Sequence, residues 1–219
     1  MPLLMLDLDN TLIDRDAAFL ASVRAFLAEH RLPGGDLGWF AELDASGYTP
    51  DDRMAAAIAA RYGSSVSASA VDALLDNGGA DLVVLAESTR RALARARADG
   101  WTCVIVTNGA TVQQEAKIRR TGLDRLVQGW VVSEAVGHKK PGSEIFRAAA
   151  EAVGHPLPGA WMIGDSAHAD IAGAHALGLR SVWVSAGRPW TADAYRPTLV
   201  AEDVATAIGH AVGGATAAS

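Results

Sequence analysis

Asp7 and Asp9 close the apolar run Leu3-Leu-Met-Leu-Asp-Leu-Asp9. A carboxylate inside such a run is costly unless something neutralises it. Thr107 and Asn108 follow a second apolar run, Trp101 to Val106, and Asp165 follows a third, Trp161 to Ile163, after Gly164. Lys140 precedes Pro141, and Asp170 lies five positions beyond Asp165. Gathered in one place, the acids repel one another unless a cation sits among them. An all-oxygen donor set with an open part of its shell suits Mg2+, which keeps waters and takes one or two carboxylates together with substrate phosphate. Asp7, shielded in this way, can attack phosphorus and form an aspartyl-phosphate. The phosphoryl oxygens then need positive charge and hydrogen-bond donors. Lys140, the Thr107 hydroxyl and nearby backbone N–H groups are the candidates. The leaving oxygen needs a proton, and hydrolysis of the intermediate needs a base. Asp9, two residues from Asp7 on the same side of an extended strand, is expected to serve both steps.

These residues are far apart in sequence, so the fold must bring them together. Five runs read as short buried strands, each stopping at a turn signal. Leu3–Asp9 stops at Asn10-Thr11, Trp101–Val106 at Thr107-Asn108-Gly109, and Trp130–Val132 at Ser133-Glu134. Trp161–Ile163 stops at Gly164-Asp165-Ser166, and Ser181–Val184 at Ser185-Ala-Gly187. Between the later runs, Ala110–Arg120, Ser143–Val153 and Asp170–Leu177 have helical spacing, with Gly178 as a stop. Strand and helix alternating in this way indicate an α/β fold, a parallel sheet with helices on both faces. Ligands of such sheets bind beyond the carboxyl ends of the strands, which is where these residues fall.

From about Asp14 to Leu85 the rhythm changes. Phe19/Leu20, Val23 and Phe26/Leu27 recur at helical spacing before Pro33-Gly34-Gly35. Thr49-Pro50-Asp51-Asp52 is a helix start with acids at the positive end of the dipole, and Met54, Ile58 and Tyr62 continue it. Val71, Leu74 and Leu75 mark another helix before Asn77-Gly78-Gly79. The region reads as an all-helical insertion. Trp39, Phe40, Tyr48 and Tyr62 are expected in its core, and Arg15 and Arg53 on its surface. The end of the chain, Gly213-Gly-Ala-Thr-Ala-Ala-Ser219, reads as a frayed tail.

Asp7-Leu-Asp9-Asn-Thr11-Leu, then Val106-Thr107-Asn108-Gly109, then Lys140-Pro141, then Gly164-Asp165-Ser166 with Asp170, resembles the haloacid dehalogenase (HAD) superfamily. The motifs occur in the family's order, and the resemblance covers Leu3 to about Ser185. It departs from the family at Lys140-Pro-Gly-Ser143, where Lys-Pro-Asp-Pro is frequent. The resemblance implies a Rossmann-like parallel-sheet core, residues 1–13 and 86–219, with an inserted all-helical cap domain of C1 type, residues 14–85. It implies Asp7 as nucleophile and metal ligand, and Asp9 as general acid/base and, through its carbonyl, a second ligand. Thr107 and Asn108 would hold the phosphoryl group. Lys140 would offset the charge of Asp7 and phosphate, Asp165 would be the third ligand, and Asp170 would support Asp165 or a metal-bound water. Asp9 also argues for phosphorus over carbon as the target, because the family's 2-haloacid dehalogenases lack an acid there. The insertion has no lysine, the first in the chain being Lys117, which argues against the Schiff-base phosphonoacetaldehyde hydrolases.

Composition narrows the rest. The chain has 219 residues, 50% hydrophobic and 20% charged, as expected of a globular protein. A net charge of −6 and the lack of any long run of Lys or Arg, the strongest clusters being Arg90-Arg91 and Arg95/Arg97, argue against a nucleic-acid partner. Those arginines read as a solvated helix face. Cys103 is the one cysteine, so no internal disulfide is possible, and its apolar run makes it a buried structural thiol. His168 and His175 lack a third ligand at zinc spacing. With no apolar stretch of membrane length and no basic leader before the first run, a cytoplasmic protein without membrane partners is expected. The leading expectation is thus a hydrolase of a small soluble phosphate ester, monomeric or homodimeric. A phosphomutase or phosphotransferase on the same nucleophile, and a phospho-accepting regulatory domain, are the competing readings.

Overall fold

The computed structural model describes residues 1–216. Six strands form one parallel sheet in the order β3-β2-β1-β4-β5-β6. They are β1 (Leu3–Leu6), β2 (Thr102–Thr107), β3 (Gly129–Val132), β4 (Trp161–Gly164), β5 (Arg180–Val184) and β6 (Leu199–Ala201). The chain leaves β1 toward β2 and β3 on one side, then returns to place β4 on the other side of β1. This makes β1 the point where the strand order reverses, and ligand crevices of open parallel sheets form at such points.

The central strands are buried on both faces, so their sequences are continuous apolar runs rather than alternations. Leu3, Met5, Val104, Val106 and Met162 pack with Ile145, Phe146, Ala149 and Ala150 of helix Ser143–Ala152 and with Ala174. Leu4, Leu6, Cys103 and Ile105 point to the opposite face and are equally buried. Helices Glu87–Ala98 and Val204–Thr216 pack on each other and on the sheet, the first against β2 and the second against β4, β5 and β6. Cys103 is a buried free thiol, and burial pushes its pKa up to about 12.

The chain divides into two compact units, residues 1–13 with 85–219, and residues 14–84. The second unit contains four α-helices: α1 (Arg15–Glu29), α2 (Leu37–Asp44), α3 (Asp51–Tyr62) and α4 (Ala68–Asn77). Asp14 caps α1 by accepting from the Ala17 N–H, and Ser67 caps α4 by accepting from the Ala70 N–H. Its core is Phe19, Val23, Phe26, Leu27, Phe40, Met54, Ile58, Val71, Leu74 and Leu75, with Trp39 and Tyr62 packed against it. Tyr48, expected in that core, is exposed. Arg15, expected at the surface, is mostly buried: its guanidinium pairs with Asp44, and Asp44 also accepts from the Gly47 N–H. Arg53 is exposed.

Three further points differ from the sequence reading. The first strand stops at Leu6, and Asp7 to Asp9 lie in the loop beyond it, where Asn10 has φ 56°. The strand β6 was not expected. Gly213 to Thr216, read as tail, belong to the last helix; residues 217–219 of that tail lie outside the described residues.

Phe146 is fully buried between its helix and the sheet. Phe146→Ala is expected to lower the unfolding free energy by about 3–5 kcal/mol, since the cavity adds to the lost transfer energy. Val200→Ala, at an exposed edge position, should change it by less than about 0.5 kcal/mol. Urea unfolding of both variants checks the contrast.

Candidate active site

The residues singled out at strand ends meet at the carboxyl edge of β2, β1 and β4. Asp7 directly follows β1, and its N–H donates to the Ile163 carbonyl of β4 at 2.9 Å. This bond carries the sheet ladder one residue past the strand and fixes where the Asp7 side chain starts. Lys140 Nζ donates to Asp7 Oδ1 at 2.6 Å and to the Val106 carbonyl of β2 at 2.6 Å, and lies 2.8 Å from Asp170 Oδ1. The ammonium therefore donates to one carbonyl and one acid and lies in ion-pair contact with a second acid.

Asn108 positions that lysine. Its Oδ1 accepts from the Lys140 N–H at 2.8 Å, and its Nδ2 donates to the Lys140 carbonyl at 3.1 Å. The Asn108 side chain is thus committed to the backbone of the lysine loop, which leaves its backbone N–H for the phosphoryl contact expected of this residue. Thr107 ends β2 with its hydroxyl buried.

The Asp165 N–H donates to Thr11 Oγ1 at 3.0 Å, and the Thr11 hydroxyl lies 3.1 Å from Asp7 Oδ2. On the far side, Arg188 Nη2 donates to Asp165 Oδ2 at 3.1 Å, and the Trp183 indole donates to the Asp165 carbonyl at 2.8 Å. Asp170 lies in a wide π-type turn, Ala167–Ile171, where the extra residue per turn swings it back toward the strand. It accepts from the Ser166 N–H at 3.0 Å. Gly164 makes room for it, because a Cβ at that position would collide with the Asp170 carboxylate.

Asp7, Asp165 and Asp170 each offer an oxygen, and these oxygens lie within 4.8 Å of one another. Asp9 joins the site differently. Its carboxylate faces the helix Thr111–Thr121 and pairs there with Lys117, with both oxygens 2.9 Å from Nζ. The two acids of the first motif therefore have different lysines, and the extended-strand argument does not describe them, since the strand has ended. His168 and His175 are not among the acids; His175 packs beside the Tyr195 ring.

The electrostatics follow from the count of charges. Burial pushes Asp7 up to about 8 against the pull of Lys140, with Asp170 and Asp165 adding to the rise. Burial and then Asp170 push Asp165 up to about 6, with Arg188 opposing. Burial alone would lower the Lys140 pKa; Asp170 and Asp7 more than offset it and keep the ammonium charged. Lys140 and Asp7 thus pull in opposite directions for their own pair. The charge balance accounts for this: one buried ammonium serves Asp7 and Asp170, Asp165 has only the half-exposed Arg188, and three acids face two cations. The donor set is all oxygen, dense and short of positive charge, which fits a hard divalent cation.

Thr11, Gln114, Lys117 and Arg188 were not singled out from sequence. Thr11 stood inside a quoted motif, and its spacing four residues from Asp7 was the available signal. Gln114 and Lys117 share one face of a helix at i and i+3, but nothing local marks that face as meeting Asp9.

The chain belongs to the haloacid dehalogenase-like hydrolase family, whose model matches residues 1–178. It is 34% identical over 99 residues to the glyceraldehyde 3-phosphate phosphatase of Pyrococcus furiosus, a match covering 45% of this chain and 41% of that protein. It is 35% identical over 95 residues to the phosphoserine phosphatase of Thermus thermophilus, covering 43% and 38%. These matches span about two fifths of the relatives' lengths. In structure it is similar to YfnB from Bacillus subtilis bound to magnesium, with a TM-score of 0.74 at 21% identity, covering 93% of this chain and 95% of that one. At that identity the likeness is one of fold. No helix among the described residues is long and apolar enough to cross a membrane.

The raised acids give a stability prediction. In the cation-free fold Asp165 and Asp7 bind protons more tightly than in the unfolded chain, whose ordinary value is 3.8. Their contribution is therefore fullest below about pH 4 and declines as pH rises through about 6 and then about 8. A divalent cation competes with those protons and removes the penalty. The gain in Tm on adding millimolar divalent cation should grow between about pH 5 and about pH 8. Asp165→Asn should lose most of that gain. Thermal unfolding in chelator and in cation measures both; a gain that is flat with pH contradicts the account.

Proposed function

We propose that the chain is a magnesium-dependent phosphomonoester hydrolase acting on a small phosphorylated metabolite through an aspartyl-phosphate. The observation that carries this reading is the buried Asp7, which shares the Lys140 ammonium with Asp170 beside Thr107 at the carboxyl edge of the sheet. The family supports it, as do the phosphatases with which the chain shares about a third of its aligned residues.

Asp7 and Asp165 would hold magnesium through their carboxylates and Asp9 through its carbonyl, with Asp170 steadying the set. When bound, the ion supplies the positive charge that lets a carboxylate approach a phosphate dianion. Asp7 attacks phosphorus, and the bond from phosphorus to the leaving oxygen breaks. The electron pair goes to that oxygen, which takes a proton from Asp9. In the second half, the Asp9 carboxylate takes a proton from water as the water attacks phosphorus. The phosphorus–Asp7 bond breaks, and inorganic phosphate leaves. Lys140 contributes positive charge from a fixed position, held by Asp7 and the Val106 carbonyl. Thr107 donates its hydroxyl to a phosphoryl oxygen. Asn108 offers its backbone N–H, its side chain being held by Lys140. We assign the helical unit 14–84 the role of a cap that selects the leaving group.

An acid at position 9 distinguishes this reading from dehalogenation, in which a halide leaves without needing a proton. The purified chain with magnesium is expected to release phosphate from p-nitrophenyl phosphate and to stop when the metal is chelated. Asp7→Asn should fold normally and lose at least about 1000-fold in kcat. Phosphate release followed by colorimetry, with circular dichroism as the fold check, decides it; an unaffected variant sinks the mechanism.

A further inference from the structure

We propose that Lys117 and Gln114 are positioning residues that hold Asp9 and Thr107 in their working orientation. The inference rests on the phosphatase reading and adds to it two residues outside the four motifs.

Lys117 is 1% exposed, on the inner side of the helix Thr111–Thr121. Its ammonium reaches both oxygens of Asp9 at 2.9 Å and Gln114 Oε1 at 2.8 Å. Those contacts account for its three hydrogens. An ion pair that takes a lysine out of water gains little stability over apolar packing, so stability alone is a weak reason for this lysine. Its partner explains it better. The Asp9 side chain is 27% exposed, so the pair runs from the core to the open end of the site.

Gln114 completes the arrangement. Because Lys117 occupies its Oε1, its NH2 must face the other way. There it donates to Asp9 Oδ2 at 3.0 Å and to Thr107 Oγ1 at 2.7 Å. A flipped amide would place donors against the ammonium and an oxygen against the carboxylate. With one lone pair of Thr107 taken by Gln114, the hydroxyl hydrogen is left to donate elsewhere. Its acceptor here is the Asn108 carbonyl, at a long 3.3 Å, which a phosphoryl oxygen would readily replace. The space for Gln114 depends on Gly109: at φ 143°, a Cβ there would lie 3.0 Å from Gln114 Cγ.

One chain of hydrogen bonds therefore sets both the proton-transfer acid and the phosphoryl donor. As Asp9 gives up its proton to the leaving oxygen, Lys117 faces the charge that Asp9 acquires. Loss of this support should matter most for esters whose leaving oxygen needs that proton.

The test compares two aryl esters of similar shape, phenyl phosphate with a poor leaving group and p-nitrophenyl phosphate with a good one. The readout is kcat/KM, which covers the steps up to loss of the leaving group. Lys117→Met and Gln114→Met are each expected to lose about 30-fold on phenyl phosphate but only about threefold on p-nitrophenyl phosphate. Equal losses on both esters, or no loss on either, overturn the proposal, since a merely structural role has no reason to distinguish leaving groups. Circular dichroism reports folding, and if Lys117→Met fails to fold, Gln114→Met decides by the same criterion. A wild type inactive on both esters overturns the phosphatase reading and this inference with it; an active wild type with equal losses overturns this inference alone.

Discussion

The site is organised around one ammonium. Lys140 Nζ touches Asp7, Asp170 and the Val106 carbonyl, and so joins three strand ends through one atom. Much of the surrounding architecture supports this contact. Asn108 grips the lysine backbone from both sides. The wide turn after β4 and the bare Gly164 bring Asp170 within reach. The Asp7 N–H extends the β1–β4 ladder by one residue, so the nucleophile candidate starts from a fixed point. A buried lysine facing two acids is a precarious arrangement, because removing the lysine leaves two buried carboxylates without compensation. The same shortage of positive charge makes the cluster receptive to a cation.

The two acids of the first motif are neighbours in sequence but sit in different surroundings. Asp7 is buried and turned toward the sheet, where desolvation and crowding dominate. Asp9 is partly open to solvent and turned toward a helix that supplies it with a lysine of its own. A residue held rigidly at the end of a strand suits attack on phosphorus. One held from behind by a helix, with an open face, suits proton exchange with a leaving group or water. In the proposed mechanism, environment more than residue type separates the roles.

Much of this was visible in the sequence. The apolar runs ending in Asp7, Thr107 and Gly164-Asp165 marked strands buried on both faces, their shortness and the turn residues after them separating them from buried helix segments. What the sequence hid was contact between distant polar residues. Lys117 sits in a helix with Glu115 and Arg119 nearby and has the local signature of a solvated face; its partner lies 108 positions away. Arg15 was misplaced for the same reason, since Asp44 is 29 positions off. The strand β6 has three residues, two of them exposed, too short a pattern to announce itself. Five positions of spacing from Asp165 do not reveal the π-type turn that carries Asp170 into the acid cluster itself.

Cys103 lies on β2, four residues before Thr107, with its thiol buried and its pKa raised far above that of an exposed thiol. In the folded state it is shielded from reagents and lacks thiolate character. It becomes reactive only when β2 leaves the sheet, because the strand is central and paired on both sides. With one cysteine in the chain, alkylation followed by mass measurement counts opening events at a single known position. The protein thus carries its own unfolding clock in a strand that leads to the site, readable without an engineered probe.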